Sequence, residues 1–519
     1  MKKRLLAIAL ACVMLLSLAA CTGGEQKNSK ISYDIPEGKV IPDDATLNIT
    51  IESHASWPFR EDWKVWEYIR EAVGGTVNVN AIPSSDFSTK FPIMMAAPDS
   101  LPDLIGFSWE PGSFTSFCEQ NAFLALDDYS EFLPDYNAFW EGLPESDQWM
   151  RETRRKADGK VYYAPIYGME RSTNLRGWLY REDIFKKHSL KTPETLDELY
   201  TVSKKLKEIY PESYPFCVRS GFSNVNVFGS SFKAGFHYNQ YYDFENGKWS
   251  YGATEDVMLE MVTYLNKMTK EGVMPSDFFT INTSTWEELV STDRGFIFPE
   301  YQVRIDFFNS LARAKNPEFT LAVMMPPKSE NGMGINAVNK WNFDPTGYGI
   351  CNTRDEGRIA NAFRYINWLY SDEGSDIISW GKEGETFETV DGKRQYIVNS
   401  DKDVVQDLYG FKTIGTYLRS DPVSVDQGVS EEQAATTDFI LQYTYPNLNP
   451  NLYVSLSTED EQKLADYNTS LVTFVEENIQ KFVIGQRPLS EWDKFQAELS
   501  ELPVNEVLAI YEAAYEKIK

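Results

Sequence analysis

The run Ala45-Thr-Leu-Asn-Ile-Thr-Ile51 opens a series of alternating strands and helices that reaches residue 105. This run alternates apolar and polar residues, as a strand with one buried face does. Apolar residues recur at helical spacing from Asp62 to Val73, and Gly74-Gly75 ends that helix. The later elements are a strand at 76–82, a helix at 87–97 that ends before Pro98, and a strand from 101 to 105. The order predicts a parallel sheet covered by helices.

The remaining chain continues this mixture of short strands and helices. A helix from Thr195 to Tyr210 opens with the capping pattern Thr195-x-x-Glu198. Further strands are predicted at 160–167, 178–180, 295–298 and 319–325, and further helices at 257–269 and 360–369. The C-terminal part predicts three helices separated near Gly485 and Pro503. The chain therefore belongs to the α/β class.

The N-terminus reads as a secretion signal that ends in a lipidation site. Met1-Lys2-Lys3-Arg4 is positively charged, and Leu5 to Leu18 is almost wholly apolar but shorter than a membrane-spanning helix. Leu18-Ala-Ala-Cys21 resembles a bacterial lipobox, in which the Cys21 thiol receives diacylglycerol. The polar stretch from Thr22 to Lys30 would serve as a flexible tether. We expect residues 1–20 to be removed and residues 21–44 to tether a protein anchored by lipid on the extracellular face of the cell membrane.

Composition limits the classes of function. The 519 residues carry a net charge of −27, which repels nucleic acid, and no nucleic-acid partner is expected. Aromatic residues make up 14% of the chain, too many for a disordered acidic protein, and the length suggests two or more domains. Beyond the signal and Cys21, the cysteines Cys118, Cys217 and Cys351 lack metal-ligand spacing. We interpret them as buried apolar side chains. The alternative is that two of the three form a disulfide.

Several motifs, each weak alone, occur in an order and spacing that resembles the family 1 extracellular solute-binding lipoproteins of ABC transporters. They are Leu101-Pro-Asp-Leu104, Asp158-Gly-Lys-Val-Tyr-Tyr-Ala-Pro165, Lys191-Thr-Pro-Glu-Thr-Leu-Asp-Glu-Leu199, Trp380-Gly-Lys-Glu-Gly-Glu-Thr-Phe387, Asp391-Gly-Lys393, Gly485-Gln-Arg-Pro-Leu-Ser-Glu-Trp492 and Ile510-Tyr-Glu-Ala-Ala-Tyr515. The stretch from Trp380 is similar to that of members that bind oligosaccharides, uronate-containing ones included.

The resemblance implies a two-domain periplasmic-binding-protein-like fold, with hinge strands and a ligand cleft between the domains. By analogy, the chain crosses between domains near Ala164, Phe319 and Asn352. The expected N-terminal α/β domain is 45–163 plus 319–352, and the expected C-terminal α/β domain, with a helical extension, is 164–318 plus 353–519.

The resemblance also implies a function and its partners. A monomeric protein would bind a carbohydrate, an oligosaccharide in particular, and deliver it to the permease subunits of an ABC transporter. The alternative is a binding protein for a peptide or another non-sugar solute. Relatives with a calcium site carry an acidic, glycine-containing loop where this chain has Pro211-Glu-Ser-Tyr-Pro215, so neither calcium nor another cofactor is expected.

Catalysis has little support in the residues. The chain has three histidines, His54, His188 and His237, and none lies within ten residues of another. Spaced zinc-ligand motifs, a nucleophile elbow and a phosphate loop are also missing from the sequence. The alternative is a glycosidase, which would use a pair of the many carboxylates in the chain. We expect a protein that is not an enzyme.

Binding of a sugar requires flat aromatic rings beside polar groups, because a sugar presents apolar C–H faces and a rim of hydroxyls. Aromatic residues with polar neighbours occur where strands end or turns begin, and they are the candidate ligand contacts. The candidates are Trp57, Trp109, Tyr167, Trp178, Trp286, Glu300, Tyr301, Trp341 and Trp380. Trp63, Trp66 and Trp368 stand at helical core spacing and are assigned to packing. Nearby arginines that could pair with a uronate carboxylate are Arg60, Arg171, Arg176 and Arg304.

Overall fold

The computed structural model describes residues 34–517 apart from short internal segments. Those segments are 55–57, 153, 169–174, 220, 222–227, 230, 233–238, 244–245, 331, 333, 335, 340–345, 399–404, 414, 428–430, 446–453 and 455. The strands are β1 (Thr46–Ser53), β2 (Thr76–Pro83), β3 (Leu104–Phe107), β4 (Tyr163–Pro165), β5 (Arg176–Arg181), β6 (Gln240–Asp243), β7 (Lys248–Tyr251), β8 (Ile297–Tyr301), β9 (Leu321–Met324), β10 (Asn336–Asn339), β11 (Gly347–Ile350), β12 (Phe387–Val390), β13 (Lys393–Tyr396) and β14 (Thr444–Tyr445).

The helices surround two separate hydrophobic cores. They are α1 (Lys64–Val73), α2 (Ser84–Met95), α3 (Phe114–Glu119), α4 (Pro134–Gly142), α5 (Glu145–Glu152), α6 (Glu182–Lys187), α7 (Leu196–Ile209), α8 (Asp256–Lys270), α9 (Thr283–Ser291), α10 (Arg304–Arg313), α11 (Glu356–Tyr370), α12 (Asp372–Ser379), α13 (Pro422–Gln427), α14 (Glu431–Gln442), α15 (Thr458–Val483), α16 (Trp492–Ser500) and α17 (Val504–Tyr515). None of these described helices is long and apolar enough to cross a bilayer.

The first lobe is built on a five-stranded sheet in the order β2-β1-β3-β11-β4. β1 pairs in parallel with β2 and with β3, whereas β11 runs antiparallel to β3 and to β4. Leu47, Ile49 and Ile51 of β1 are buried together with Trp66 of α1 and Trp368 of α11. The predicted β-α-β-α-β series and the packing role of both tryptophans are thereby confirmed.

The second lobe holds a smaller antiparallel sheet in the order β8-β5-β9, packed among helices. Its core joins residues of α7, α8 and α10 to the C-terminal helices α15, α16 and α17. The predicted cap is present: the Thr195 hydroxyl accepts the backbone N–H of Glu198, and the Glu198 carboxylate accepts that of Thr195. The predicted breaks between the last helices are present at Gly485 and Pro503.

Across the residues that the structure describes, the chain passes from one lobe to the other three times. It leaves the first sheet after Pro165 and enters the second with Arg176, and it returns to the first sheet between Met324 and Gly347. The third passage follows α13, because α13 contacts the first lobe and the next helix, α14, packs on β9 of the second.

Two predicted domain segments lie in the other lobe. β9, expected in the N-terminal domain, pairs with β5 of the second sheet because its apolar residues complete that core. Residues 356–425, expected in the C-terminal domain, pack in the first core instead. The reason is that α11 buries Phe363, Ile366 and Leu369 against the residues of β1. The third crossing therefore lies beyond Gln427 and not near Asn352.

The three cysteines Cys118, Cys217 and Cys351 are free and buried, as their interpretation as small apolar side chains predicts. Burial raises the pKa of each thiol above its usual range, so the thiols stay protonated at ordinary pH.

Candidate functional site

Two sheet edges face each other across a cleft. The first edge is formed where β1 and β3 end and β11 begins, which brings His54, Ser108 and Thr346 to one rim. The second edge is formed where β8 ends and β5 begins, because Tyr301 pairs with Arg176. Open α/β sheets bind ligands at such carboxyl-terminal edges.

His54 shows that the two rims lie close together. It follows β1 in the first lobe, yet Arg304 and Arg219 of the second lobe are near enough to act on it. Burial, together with the positive charges of these two guanidinium groups, lowers the pKa of His54 from 6.5 to about 4. The imidazole is therefore neutral at ordinary pH.

An ion pair occupies the wall of the second lobe. Arg219 donates from Nε to Oε2 of Glu300 at 2.6 Å and from Nη2 to Oε1 at 3.0 Å. The backbone N–H of Tyr301 donates to the same carboxylate at 2.8 Å. Burial opposes ionisation of Glu300, but the charges of Arg219 and Arg176 outweigh it, and its pKa is lowered. Glu300 is thus an anion that holds Arg219 in place.

A second arginine lies beside this pair. Arg304 is the first residue of α10, is 5% exposed, and donates from Nη1 to Oε1 of Glu287 at 2.9 Å. The guanidinium groups of Arg219 and Arg304 lie 5.4 Å and 5.6 Å from the centre of the same ring, that of Trp286. The buried indole therefore supports two cations, whose attraction to its face fixes their position.

A third arginine completes what we call the arginine cluster, Arg176, Arg219 and Arg304. The Arg176 guanidinium lies 4.1 Å from the centre of the Tyr301 ring and donates from Nη2 to the Tyr301 hydroxyl at 2.7 Å. Both residues are half-buried.

The rim of the first lobe carries an exposed indole. Trp109 follows β3 and is 61% exposed. Just before it, the Glu52 carboxylate accepts the backbone N–H of Ser108 at 2.9 Å and also its hydroxyl, which fixes the loop. Just after it, Glu110 pairs with the buried Lys156. The loop on both sides of Trp109 is held, so its ring is presented on a fixed support.

Helix α15 of the second lobe reaches the first lobe close to this loop. The Thr115 hydroxyl of α3 donates to Oε1 of Glu461 at 2.7 Å, and the backbone N–H of Thr458 donates to Oε1 of Glu119 at 3.2 Å. The Nζ of Lys156 donates to the Thr115 hydroxyl at 3.1 Å. These contacts join the two lobes outside the crossing segments.

Three predicted ligand contacts are fully buried, which corrects their expected role. Trp178 stacks on Phe216 within the second core, because its strand is covered on both faces. Trp286 supports the arginine cluster from beneath. Trp380 lies in the first lobe, and its Nε1 donates to Oδ2 of Asp421 at 2.7 Å. An indole with 0% exposure has no face to offer a ligand, and all three reach that value.

The other described candidates differ in their surroundings. Glu300 is inside β8, one residue before the strand's end, and not beyond it as the sequence suggests. Tyr301 is on the second rim. Tyr167 is half-buried where the chain leaves the first sheet, with its ring 5.1 Å from that of Phe139. Arg60 lies apart in an exposed pair with Asp62.

Four further sequence predictions fall outside the described residues. They are Cys21, Trp57, Arg171 and Trp341.

Sequence reasoning missed two residues of the site. Arg219 ends the apolar run Phe216-Cys-Val218, which runs beside β8 through the bridge between Phe216 and Ile297. An apolar run that ends in a charged residue is the sequence signal that would have pointed to Arg219. His54 directly follows β1, at the edge where ligands are expected.

Within the described part of the chain, no group of three or more His, Cys, Asp or Glu side chains is placed to hold a metal ion.

Comparison with known proteins gives the following matches. A family model described as bacterial extracellular solute-binding protein matches residues 61–376. The lipoprotein LipO of Bacillus subtilis (strain 168) is 22% identical over 372 residues, which cover 69% of this chain and 70% of LipO. The polygalacturonan/rhamnogalacturonan-binding protein YtcQ of the same organism is 21% identical over 530 residues, covering 100% and 99%.

Two further matches extend this picture. The fructooligosaccharide ABC transporter substrate-binding protein FusA of Streptococcus pneumoniae serotype 4 is 21% identical over 480 residues, with 83% of each chain covered. Among solved structures, the alginate-binding protein AlgQ2 without calcium ion has a TM-score of 0.74 and 23% identity, covering 92% of this chain and 99% of that one. The structural likeness is one of fold.

Proposed function

Because the chain belongs to the bacterial extracellular solute-binding proteins, we propose that it binds an oligosaccharide between its two lobes and delivers it to the permease subunits of an ABC importer. In this proposal the solute is held by the two rims, and release follows when the lobes separate. Hinged domains that grip a ligand from both sides close around it because the contacts of the closed form are available only there.

The observation that carries the proposal is the close approach of the two rims. His54 of the first lobe is close enough to Arg219 and Arg304 of the second that their charges shift its pKa. Trp109 is an exposed indole on a fixed loop of the first rim, and Tyr301 is a half-buried ring on the second. An aromatic face beside charged hydrogen-bonding groups suits a sugar ring.

The names of the relatives support a carbohydrate as the solute. YtcQ is named for two polysaccharides and FusA for fructooligosaccharides. FusA is also named as part of an ABC transporter, which supports permease subunits as partners. In our proposal Trp109, Tyr167 and Tyr301 contact the sugar, together with Trp57 and Trp341.

The proposal includes an anchor at Cys21 and no chemical conversion. Leu18-Ala-Ala-Cys21 supports lipidation, as does the likeness to a protein named as a lipoprotein. Only three histidines occur in the chain. The carboxylates of Glu300 and Glu287 are counter-ions of Arg219 and Arg304, whereas a glycosidase needs two carboxylates that face each other across the bound sugar. In this proposal the protein is a monomer on the extracellular face of the membrane, and it delivers its solute intact.

Calorimetric titration of the soluble domain against matched panels of oligosaccharides and peptides tests the proposal. We expect at least one oligosaccharide to bind with an apparent Kd in the micromolar range or below, equivalent to about 8 kcal/mol. Chromatography of that sugar after long incubation should return it intact. Binding confined to the peptides would overturn the carbohydrate assignment, and protein-proportional cleavage would overturn the transport assignment.

A further inference from the structure

We infer that the solute is acidic, an oligosaccharide that carries carboxylates, and that Arg219 and Arg304 form the subsite that recognises them. This inference rests on the proposed function, because it specifies the class of sugar held at the same cleft. It is carried by the arrangement of the arginine cluster.

Arg304 is a buried cation with few partners. A guanidinium group has five N–H donors, and among the described residues Arg304 has one hydrogen-bond acceptor, Glu287. At 5% exposure the remaining donors have little access to water. A buried charge costs free energy unless it is paired and hydrogen-bonded, so this position favours an incoming acceptor.

The location of Arg304 makes its charge costly in a second way. It is the first residue of α10, where the aligned peptide dipoles already produce a partial positive charge. A cation is unfavourable there, whereas an anion is favourable. An anionic ligand at this point would interact with the side chain and the helix end together.

Arg219 adds a second positive charge on the same support. Both guanidinium groups lie over the ring of Trp286, and their mutual repulsion lowers the pKa of Arg304 beyond the effect of burial, despite Glu287 and Glu300. Asp306, on the first turn of α10, is a further buried carboxylate with contacts of its own. A ligand carboxylate would offset the repulsion between the two guanidinium groups.

The charges of the arginine cluster act across the cleft. The pKa of His54 on the opposite rim is lowered by burial and by the charges of Arg304 and Arg219. A neutral imidazole adds no charge of its own to the cleft.

A carboxylate fits this subsite better than a hydroxyl does. Two oxygens in a plane match the parallel N–H donors of a guanidinium group, and the charge strengthens each hydrogen bond. A hydroxyl group offers neither the charge nor the planar pair. The uronate residues of acidic oligosaccharides carry such a carboxylate on every ring.

Calorimetry with matched sugars tests the inference. The probes are trigalacturonate and tetramannuronate, each beside its carboxyl-reduced neutral counterpart of the same linkage and length. We expect an acidic form to bind about tenfold or more tightly than its neutral partner. The change Arg304→Gln should reduce the affinity for the acidic form by about tenfold or more and leave that for the neutral form nearly unchanged.

The control is Arg313→Gln, which removes the same charge from the last turn of the same helix. Arg313 pairs with Glu432 and is remote from the cluster, so both sugars should bind this variant as they bind the native protein. Equal or tighter binding of the neutral partners to the native protein would overturn the inference and leave the proposed function standing. No binding of either form, while peptides bind, would overturn both. The native comparison holds even if Arg304→Gln does not fold.

Discussion

Arg219 and Glu300 are joined by two parallel hydrogen bonds in the wall of the second lobe, at 2.6 Å and 3.0 Å. Glu300 is 1% exposed, and the Arg219 side chain retains a small exposed fraction. The strand β8 supplies the anion, and the apolar run that precedes Arg219 supplies the cation. The pair ties the position of Arg219 to the core of the lobe.

Removal of this anion should destabilise the second lobe. The change Glu300→Gln removes the buried carboxylate that pairs with Arg219, which costs about 3–5 kcal/mol of unfolding free energy. Urea unfolding at neutral pH measures the loss. The control is Glu288→Gln, which breaks an exposed pair with Arg294 and should cost about 1 kcal/mol or less.

The stabilisation by Glu300 should also depend on pH. Its pKa in the folded protein lies below the ordinary value of 4.5, so the contribution is complete above pH 4.5 and is lost as the pH falls through the lowered pKa. Unfolding free energies of the native protein and Glu300→Gln should therefore converge below pH 4.5. A difference that stays constant down to pH 3 would contradict a charged, paired Glu300.

The first lobe is the part of the fold that the sequence predicts well. The apolar periods of β1, α1 and β2 are regular, and their bounds differ from those of the structure by a few residues at most. The third crossing was not predictable in the same way. The period of α11 reveals a buried helix, but burial against β1 or against β5 gives the same pattern in sequence.

The candidate site could be predicted only in part, for a similar reason. Trp109 follows β3 as the sequence suggests, and the structure exposes it. Trp178 has equally good neighbours in sequence, yet β5 is covered on both faces and the indole is buried. Arg219 was not predicted because its segment lies beside β8 through a contact between residues far apart in sequence. Local pattern does not encode such a contact.

Lipidation at Cys21 can be tested on the native protein. Leu18-Ala-Ala-Cys21 predicts a diacylglycerol thioether, and two acyl chains anchor a protein far better than one. Metabolic labelling with a fatty-acid probe should mark the native chain and miss Cys21→Ala. The variant should also leave the membrane fraction. Equal labelling of both forms would overturn this anchor.

Trp109 should contribute to affinity and not to stability. Replacement of an exposed indole that stacks on a sugar with alanine should cost about 2 kcal/mol of binding free energy, roughly thirtyfold in Kd. The melting temperature should stay nearly unchanged, because Trp109 is 61% exposed. Calorimetric titration with the best-binding oligosaccharide measures the first effect and scanning calorimetry the second.

The matched control for Trp109 is Trp66→Ala. Trp66 is 0% exposed in the first core, and loss of a core tryptophan costs about 3–5 kcal/mol of stability. This variant should melt earlier yet bind the sugar normally below its melting temperature. An affinity of Trp109→Ala within about threefold of the native value would remove Trp109 from the binding surface.

The contact between Thr115 and Glu461 should favour the form in which the lobes are together. Thr115 belongs to the first lobe and Glu461 to α15 of the second, and their hydrogen bond measures 2.7 Å. A hydrogen bond to a charged group contributes about 1.5–3 kcal/mol. The change Glu461→Ala removes it and should shift the lobe equilibrium towards separation by about tenfold or more. X-ray scattering without ligand should then give a larger radius of gyration than that of the native protein.

Glu477→Ala is the control for this contact, because it makes the same change on the same helix. Glu477 pairs with Lys481 one turn away on α15 and so lies within one lobe, where it cannot hold the lobes together. Its radius of gyration should equal that of the native protein. A ligand that closes the lobes should bring Glu461→Ala back to the native radius, since the contacts across the cleft replace the lost bond. If Glu461→Ala scatters as the control does, the lobes are held by the crossing segments and the rims, and α15 has no part in closure.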